Sequence, residues 1–274
     1  HGLAVSPDLD TVMYTLAGLA DDETGWGVRD ETWSTGEMLE RYGAETWFGL
    51  GDRDMATHIR RTQLRRSGST LSEATAELCR RLEVPARLLP MSDDEVRTRI
   101  RTPAGWLEFQ EYFVKRGQKD QVLEIRRDGI DEARPTALVL EAIAAADLVV
   151  IAPSNPFVSV GTILAVPGML EALLEAPAPI VAVSPVVGGA ALRGPADKML
   201  RSLGGTASAA GVVVHYQEHY PGLVDTFVLD EVDAAEVPSL EASGAAIELL
   251  PTVMRTYDDR RALAQAILNA HLPG

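Results

Sequence analysis

Asp8 and Asp10 stand two residues apart in the segment PDLDT. In an extended chain such residues project to the same side, where two carboxylates can hold Mg²⁺ or activate a hydroxyl. The segment also reads as a turn and N-cap for a helix beginning near Thr11, because aspartate is a favoured cap. Further on, Asp52, Arg53 and Asp54 open LGDRDMATHIRR at a helix start. Arg53 either meets a ligand there or pairs locally with Asp52 or Asp54. His58 lies on the first turns of that helix; histidine titrates near neutrality, although a single helical histidine is more often structural.

A second group of candidates follows an apolar run. Leu148–Ile151 read as a fully buried strand, and Pro153 and Pro156 stop it from continuing. The loop APSNPFVSVGT then supplies Ser154, Asn155, Ser159, Gly161 and Thr162. Hydroxyls, an amide and open backbone N–H groups at the carboxyl end of a parallel strand suit a phosphate; the alternative is a sharp turn. The same design recurs in VAVSPVVGGAALRGPADKML, where Ser184, Arg193 and Gly194 precede a helix with Pro195 in its first turn. Here the alternative is a βα connection with solvated charges. Two histidines, His215 and His219, are spaced i, i+4, but no third ligand accompanies them, which argues against zinc.

The elements that must position these residues alternate. Helix 52–66, helix 71–82 behind a Thr70–Glu73 capping box, and strand-like segments in 86–130 come first. The last include ARLLPM, VRTRIRT and GWLEFQEYFV. From Thr136 onward helices at 136–146, 162–175 and 195–203 alternate with strands at 148–152 and PIVAVSPVV. Strands VDTFVLD and IELLPTVM and a helix from Asp258 to Leu272 close the chain. The pattern predicts an α/β fold, a Rossmann-like, doubly wound, mainly parallel sheet with a small antiparallel and helical subdomain. The whole chain, 1–274, reads as one domain, with residues from about 35 to 130 including the subdomain.

Composition narrows the function. A formal net charge of −15 repels a nucleic-acid backbone. The single cysteine, Cys79, excludes an intrachain disulfide and agrees with a cytoplasmic location. No apolar run approaches a membrane span.

Six motifs in order, PDLDTVMYTL, LGDRDMATHI, LLPMSDD, FQEYFVKRG, APSNPFVSVGTILAVPGM and VSPVVGGAALRGPADKM, resemble the 2-phospho-L-lactate transferases of deazaflavin coenzyme biosynthesis. The resemblance covers nearly the whole chain. It implies transfer of a phospholactyl or phosphoenolpyruvyl group from a guanosine-diphosphate-linked donor to the ribityl hydroxyl of the deazaflavin Fo, with release of GMP. Mg²⁺ is the implied cofactor and a homodimer the implied assembly. Asp10 is then the implied catalytic residue and Mg²⁺ ligand, with Asp8 as a further ligand, and Asp10, Asp52 and Arg53 lie near Fo. Ser154, Asn155, Ser159, Gly161, Thr162, Ser184, Arg193 and Gly194 line the guanosine diphosphate. The family's opening strand, Gly-rich loop and following acidic segment are not in the 274 residues, which predicts reduced or absent turnover for this polypeptide. Competing readings are a non-catalytic nucleotide-sugar-binding regulator of the same superfamily and, from fold alone, a dinucleotide-dependent dehydrogenase, which the lack of a G-x-G-x-x-G motif disfavours.

Overall fold

The computed structural model describes residues 2–21 and 24–272. The chain divides into two compact units, 1–94 and 95–274. Among the described residues no helix is long and apolar enough to cross a membrane.

The first unit is helical. Its elements are α1 (Pro7–Leu16), α2 (Ser34–Arg41), α3 (Asp52–Arg66) and α4 (Leu71–Arg81). Helix α4 starts at the capping box read from Thr70 and Glu73: each side chain accepts from the other's backbone N–H. Met13, Tyr14, Val28, Leu78 and Cys79 form its core. Helix α1 begins four residues earlier than expected, because Pro7 suits the first helical turn.

The second unit carries the sheets. Strands β1 (Arg97–Thr102), β2 (Gly105–Glu108) and β3 (Glu124–Asp128) form an antiparallel sheet in the order β2-β1-β3. This is the predicted antiparallel excursion, with two corrections. Residues 86–91 form no strand. The strand expected through GWLEFQEYFV stops at Glu108, and Glu111–Lys115 make a helical turn. Phe109 and Phe113, spaced i, i+4, stack there with ring centroids 5.5 Å apart; their spacing satisfies both a strand and a helix.

Helix α5 (Ala137–Ala144) leads to β4 (Val149–Ile151), and a helical turn over Pro156–Val160 runs into α6 (Gly161–Leu164) and α7 (Met169–Leu174). The single helix expected over 162–175 is broken at Pro167-Gly168, where Gly168 takes φ 93°. Strand β5 (Ile180–Val183) ends before the short hairpin of β6 (Val186–Val187) and β7 (Ala190–Ala191). Then come α8 (Ala196–Ser202), α9 (Ala209–His219), β8 (Thr226–Asp230), α10 (Val237–Ala242), β9 (Ile247–Leu250) and α11 (Tyr257–His271). Helices α9 and α10 were not expected.

The parallel sheet runs β4-β5-β8-β9, every pairing parallel, as the Rossmann-like α/β reading requires. Strand β5 is fully buried, and Val181, Val183, Val228, Leu263 and Ile267 pack between sheet and helix α11. Strand β4 corrects the expectation of full burial: it is the last strand of the sheet, and Val150 is 43% exposed. A second core, Ile100, Tyr112, Val122 and Met199, receives Phe157 and Val158 from the loop after β4. The apolar half of the APSNPFVSVGT loop therefore seats its polar half.

Candidate functional site

In the first unit, α1 and α3 bring Asp10, Tyr14, Asp54, His58 and Arg61 into one buried polar network. Arg61 has no exposed surface and Asp10 only 4%. The guanidinium grips Asp10 through both ends: Nη2 donates to Oδ1, and Nη1 to Oδ2 at 3.0 Å. Arg61 Nη1 also reaches the Ala4 carbonyl at 3.4 Å. His58 stands between the two acids, Nδ1 3.6 Å from Asp10 and Nε2 3.2 Å from Asp54. The Tyr14 hydroxyl donates to Asp54 at 2.7 Å. Burial opposes ionisation of Asp54, but His58, the Tyr14 hydrogen bond and the Arg61 charge outweigh it and hold the carboxyl below its ordinary range. Burial, then the Asp54 charge, raises the Tyr14 phenol far above its usual value, so it remains a donor.

This geometry corrects the expectation of an Asp8–Asp10 metal pair. The segment is helical, not extended, so the two side chains point about 200° apart around the helix axis. Asp10 is buried and Asp8 is exposed. Asp10, Asp54 and His58 do offer three ligand atoms within 4.8 Å of one another. Magnesium, however, prefers six oxygens and keeps water, whereas this set includes an imidazole and gives both Asp10 oxygens to Arg61. The arrangement fits a closed ion-pair network and does not fit Mg²⁺.

Asp52 and Arg53 build the local chain. Asp52 accepts from the Thr32 hydroxyl and from the backbone N–H groups of Ser34 and Thr35, at 3.1 and 2.9 Å, and so caps α2. The Thr32 and Thr35 hydrogen bonds hold its pKa at about 2. Arg53 is exposed and donates to the Arg29 carbonyl at 2.8 Å. The Glu31 carboxylate caps α3, accepting from the Arg53 and Asp54 backbone N–H groups at 2.8 Å each.

In the second unit, the polar residues after β4 are brought together as expected, but several are committed to shaping the loop. Asn155 Oδ1 accepts from the N–H groups of Phe157 and Val158 at 2.8 and 3.2 Å, and its Nδ2 lies 3.3 Å from Met199 Sδ. Ser154 and Ser159 are half-buried. The Thr162 hydroxyl donates to the Val158 carbonyl at 2.9 Å. Gly161 has no room for a side chain: a Cβ would lie 2.6 Å from the Pro156 carbonyl oxygen.

The next βα loop holds Ser184, Arg193 and Gly194. Ser184 is buried, and its hydroxyl closes a turn with the Val186 backbone, donating to the carbonyl at 2.9 Å and accepting from the N–H at 3.2 Å. Arg193 and Gly194 are exposed, and Gly194 has φ 73°, a conformation glycine tolerates. Asp233 pins this loop from beyond β8, accepting from the Gly188 N–H at 3.0 Å.

Two important residues lie outside the expected set. Arg127, from β3, donates through Nε to Thr162 Oγ1 at 3.0 Å and through Nη2 to the Phe157 carbonyl at 2.6 Å. It staples both ends of the helical turn after β4. No sequence signal links it to a loop 30 residues away on a different sheet. His215, on α9, packs against Phe157 with centroids 4.4 Å apart. Burial, then His219, lowers its pKa from 6.5 to about 4, so it folds neutral.

That shift has a stability consequence. The unfolded chain takes up a proton at His215 near pH 6.5 and the folded chain only near 4. The contribution is therefore fully present above about pH 6.5 and is lost as pH falls towards 4, by roughly 3 kcal/mol at the limit. In urea titrations at several pH values, His215→Phe should lack this acid-labile component. Parallel pH dependence of the two proteins would contradict it.

Together, the parallel sheet and the polar loops at the carboxyl ends of β4 and β5 define a Rossmann-like α/β protein. The model of 2-phospho-L-lactate transferase CofD matches residues 1–247. The phosphoenolpyruvate transferase of Streptomyces griseus is 47% identical over 272 residues, covering 97% of this chain and 85% of the relative. That of Mycobacterium avium is 45% identical over 262 residues, covering 93% and 76%. The chain belongs to the 2-phospho-L-lactate transferase family. A crystal structure of a UPF0052 family protein from Bacillus halodurans shares the fold, with a TM-score of 0.61 at 18% identity over 94% of this chain and 81% of that one.

Proposed function

We propose that the protein transfers a phosphoenolpyruvyl group, or its lactyl counterpart, from a guanosine-diphosphate-activated donor to the terminal ribityl hydroxyl of Fo. GMP leaves and a phosphodiester forms, a step of deazaflavin coenzyme biosynthesis in the cytoplasm. The observation that carries this reading is the 47% identity to a phosphoenolpyruvate transferase over 97% of the chain. The relatives' names favour the enolpyruvyl donor over the lactyl one.

The chemistry is attack of a hydroxyl oxygen on phosphorus, with the P–O bond to GMP breaking. Such transfers depend on positioning and on neutralising charge. The loop after β4 offers the half-buried hydroxyls of Ser154 and Ser159, and the exposed Arg193 offers a cation to the diphosphate, while Thr162 serves through its hydrogen bonds to Val158 and Arg127. Asn155, Gly161 and Ser184 serve the donor by shaping the loops that meet it. Asp10 is the acceptor-side carboxylate, oriented by Arg61, with Asp52 and Arg53 at the neighbouring helix start. Mg²⁺, which the Asp10, Asp54 and His58 set does not fit, would supply counter-charge to the donor diphosphate.

The test is release of GMP from the guanylated donor by the full-length gene product with Fo and Mg²⁺. Asp10→Asn, which keeps the size and one acceptor oxygen but leaves Arg61 without its counter-charge and so costs stability, should lower kcat by about 100-fold or more per molecule shown folded by circular dichroism. An unchanged kcat would remove Asp10 from the mechanism.

A further inference from the structure

The motif FQEYFVKRG follows β2 and contains the helical turn Glu111–Lys115. Its Tyr112 has no exposed surface and joins Ile100, Val122 and Met199 in one core, on which Phe113 also packs. Phe157 and Val158, from the loop after β4, pack on the same core. Phe113 reaches the next βα loop as well: a Cβ on Gly194 would lie 3.9 Å from its Cε2. Both loops on the donor side therefore meet one apolar floor.

Met199, in α8, is the member of that floor with a polar contact to the loop after β4. It is fully buried, and its Sδ lies 3.3 Å from Asn155 Nδ2. The direction of this contact is fixed by the rest of the amide. Asn155 Oδ1 accepts from the Phe157 and Val158 N–H groups at 2.8 and 3.2 Å, so the nitrogen end faces the sulfur and donates to it. Among the described residues the Met199 sulfur is the acceptor that Nδ2 meets. On its main-chain side, the Met199 N–H donates to the Pro195 carbonyl at 2.8 Å. That bond closes the first turn of α8, directly after Arg193 and Gly194.

We propose that Met199 is a positioning residue that ties the two loops together: its sulfur holds the Asn155 amide while its backbone holds the helix start behind Arg193. This inference rests on the reading of both loops as the donor side of the site. A thioether accepts weakly, but leucine, of similar volume, does not accept at all. With the sulfur gone, the Asn155 amide loses the partner that fixes its orientation. The Phe157 and Val158 N–H groups then lose a fixed acceptor, and the loop no longer meets the donor in register with Arg193.

The test is Met199→Leu, a swap that keeps the bulk and costs little stability. Two readouts are needed. In the ligand-free full chain, the NMR signals of the Asn155 side-chain amide and of the Phe157 and Val158 backbone amides should move. In the transfer assay, KM for the donor should rise about fivefold, the loss of one modest hydrogen bond, with kcat, KM for Fo and the urea midpoint little changed. In an Asn155→Ala background, Met199→Leu should change KM for the donor no further, because the group it acts through is absent. Unmoved Asn155, Phe157 and Val158 signals, an unchanged KM for the donor, equal losses for donor and Fo that track a lower urea midpoint, or additive effects of the two substitutions would each overturn the proposal. An active protein whose amide signals do not move in Met199→Leu would keep the proposed function and lose this tie. A protein with no transfer activity whose signals do move would lose the donor reading and keep the tie.

Discussion

Arg61→Met is expected to destabilise the protein by about 3–5 kcal/mol. Arg61 is fully buried and grips a carboxylate that is itself 4% exposed. Removing the cation strands Asp10 without its counter-charge, and such single deletions are far more costly than loss of both partners. Burial of Asp54 nearby adds to the cost, because Arg61 is one of the groups that keep its carboxyl below the ordinary range. The double variant Asp10→Asn/Arg61→Met should recover a large part of that loss, because it removes the anion along with its partner. Equilibrium urea unfolding of the four proteins in this cycle measures the coupling. A small, additive effect would mean that the network carries little of the first unit's stability. A fifth protein separates roles for Asp10: Arg61→Lys keeps a charge but lacks the planar fork, so a fall in kcat at retained stability would identify orientation of Asp10 as what Arg61 supplies.

Gly161→Ala should impair donor use more than it impairs folding. The added Cβ would sit 2.6 Å from the Pro156 carbonyl oxygen and 3.2 Å from both Arg127 Nη2 and the Tyr220 hydroxyl. The carbonyl is backbone, so the helical turn itself must move. Arg127, stapled to Thr162 and Phe157, cannot retreat without releasing the loop. Overpacking of this kind costs about 1–3 kcal/mol. A shift of about 1 Å in groups that position a reacting phosphate costs about 100-fold in rate. We therefore expect kcat/KM for the donor to fall about 100-fold while KM for Fo changes little. Equal losses for both substrates, or an unchanged rate, would remove this loop from the donor side.

How much was legible in the sequence depended on how local the cause was. The Thr70–Glu73 capping box and the helix over 52–66 were readable because their determinants lie within a few residues. Helix α9 was not: the run Val212–Val214 is β-branched and favours strands, and only Ser208, accepting from the Gly211 N–H at 3.1 Å, marks its start. The loop after β4 was readable as a polar turn following a strand, yet the staple that shapes it comes from Arg127 on another sheet. Asp8 and Asp10 show the same limit in reverse. Their spacing has one meaning in a strand and the opposite one in a helix, and Pro7 decides between them. The charge partner of Asp10 is Arg61, 51 residues away, where no spacing rule reaches.

The central claim is tested most directly by incubating the full-length gene product with Fo, Mg²⁺ and an enolpyruvyl guanosine diphosphate donor, then measuring GMP and the phosphodiester product together by chromatography. The account predicts the two in equal amounts, both dependent on Fo and both reduced by Asp10→Asn and Gly161→Ala. GMP release without a phosphodiester, or no release with either the enolpyruvyl or the lactyl donor, would contradict it.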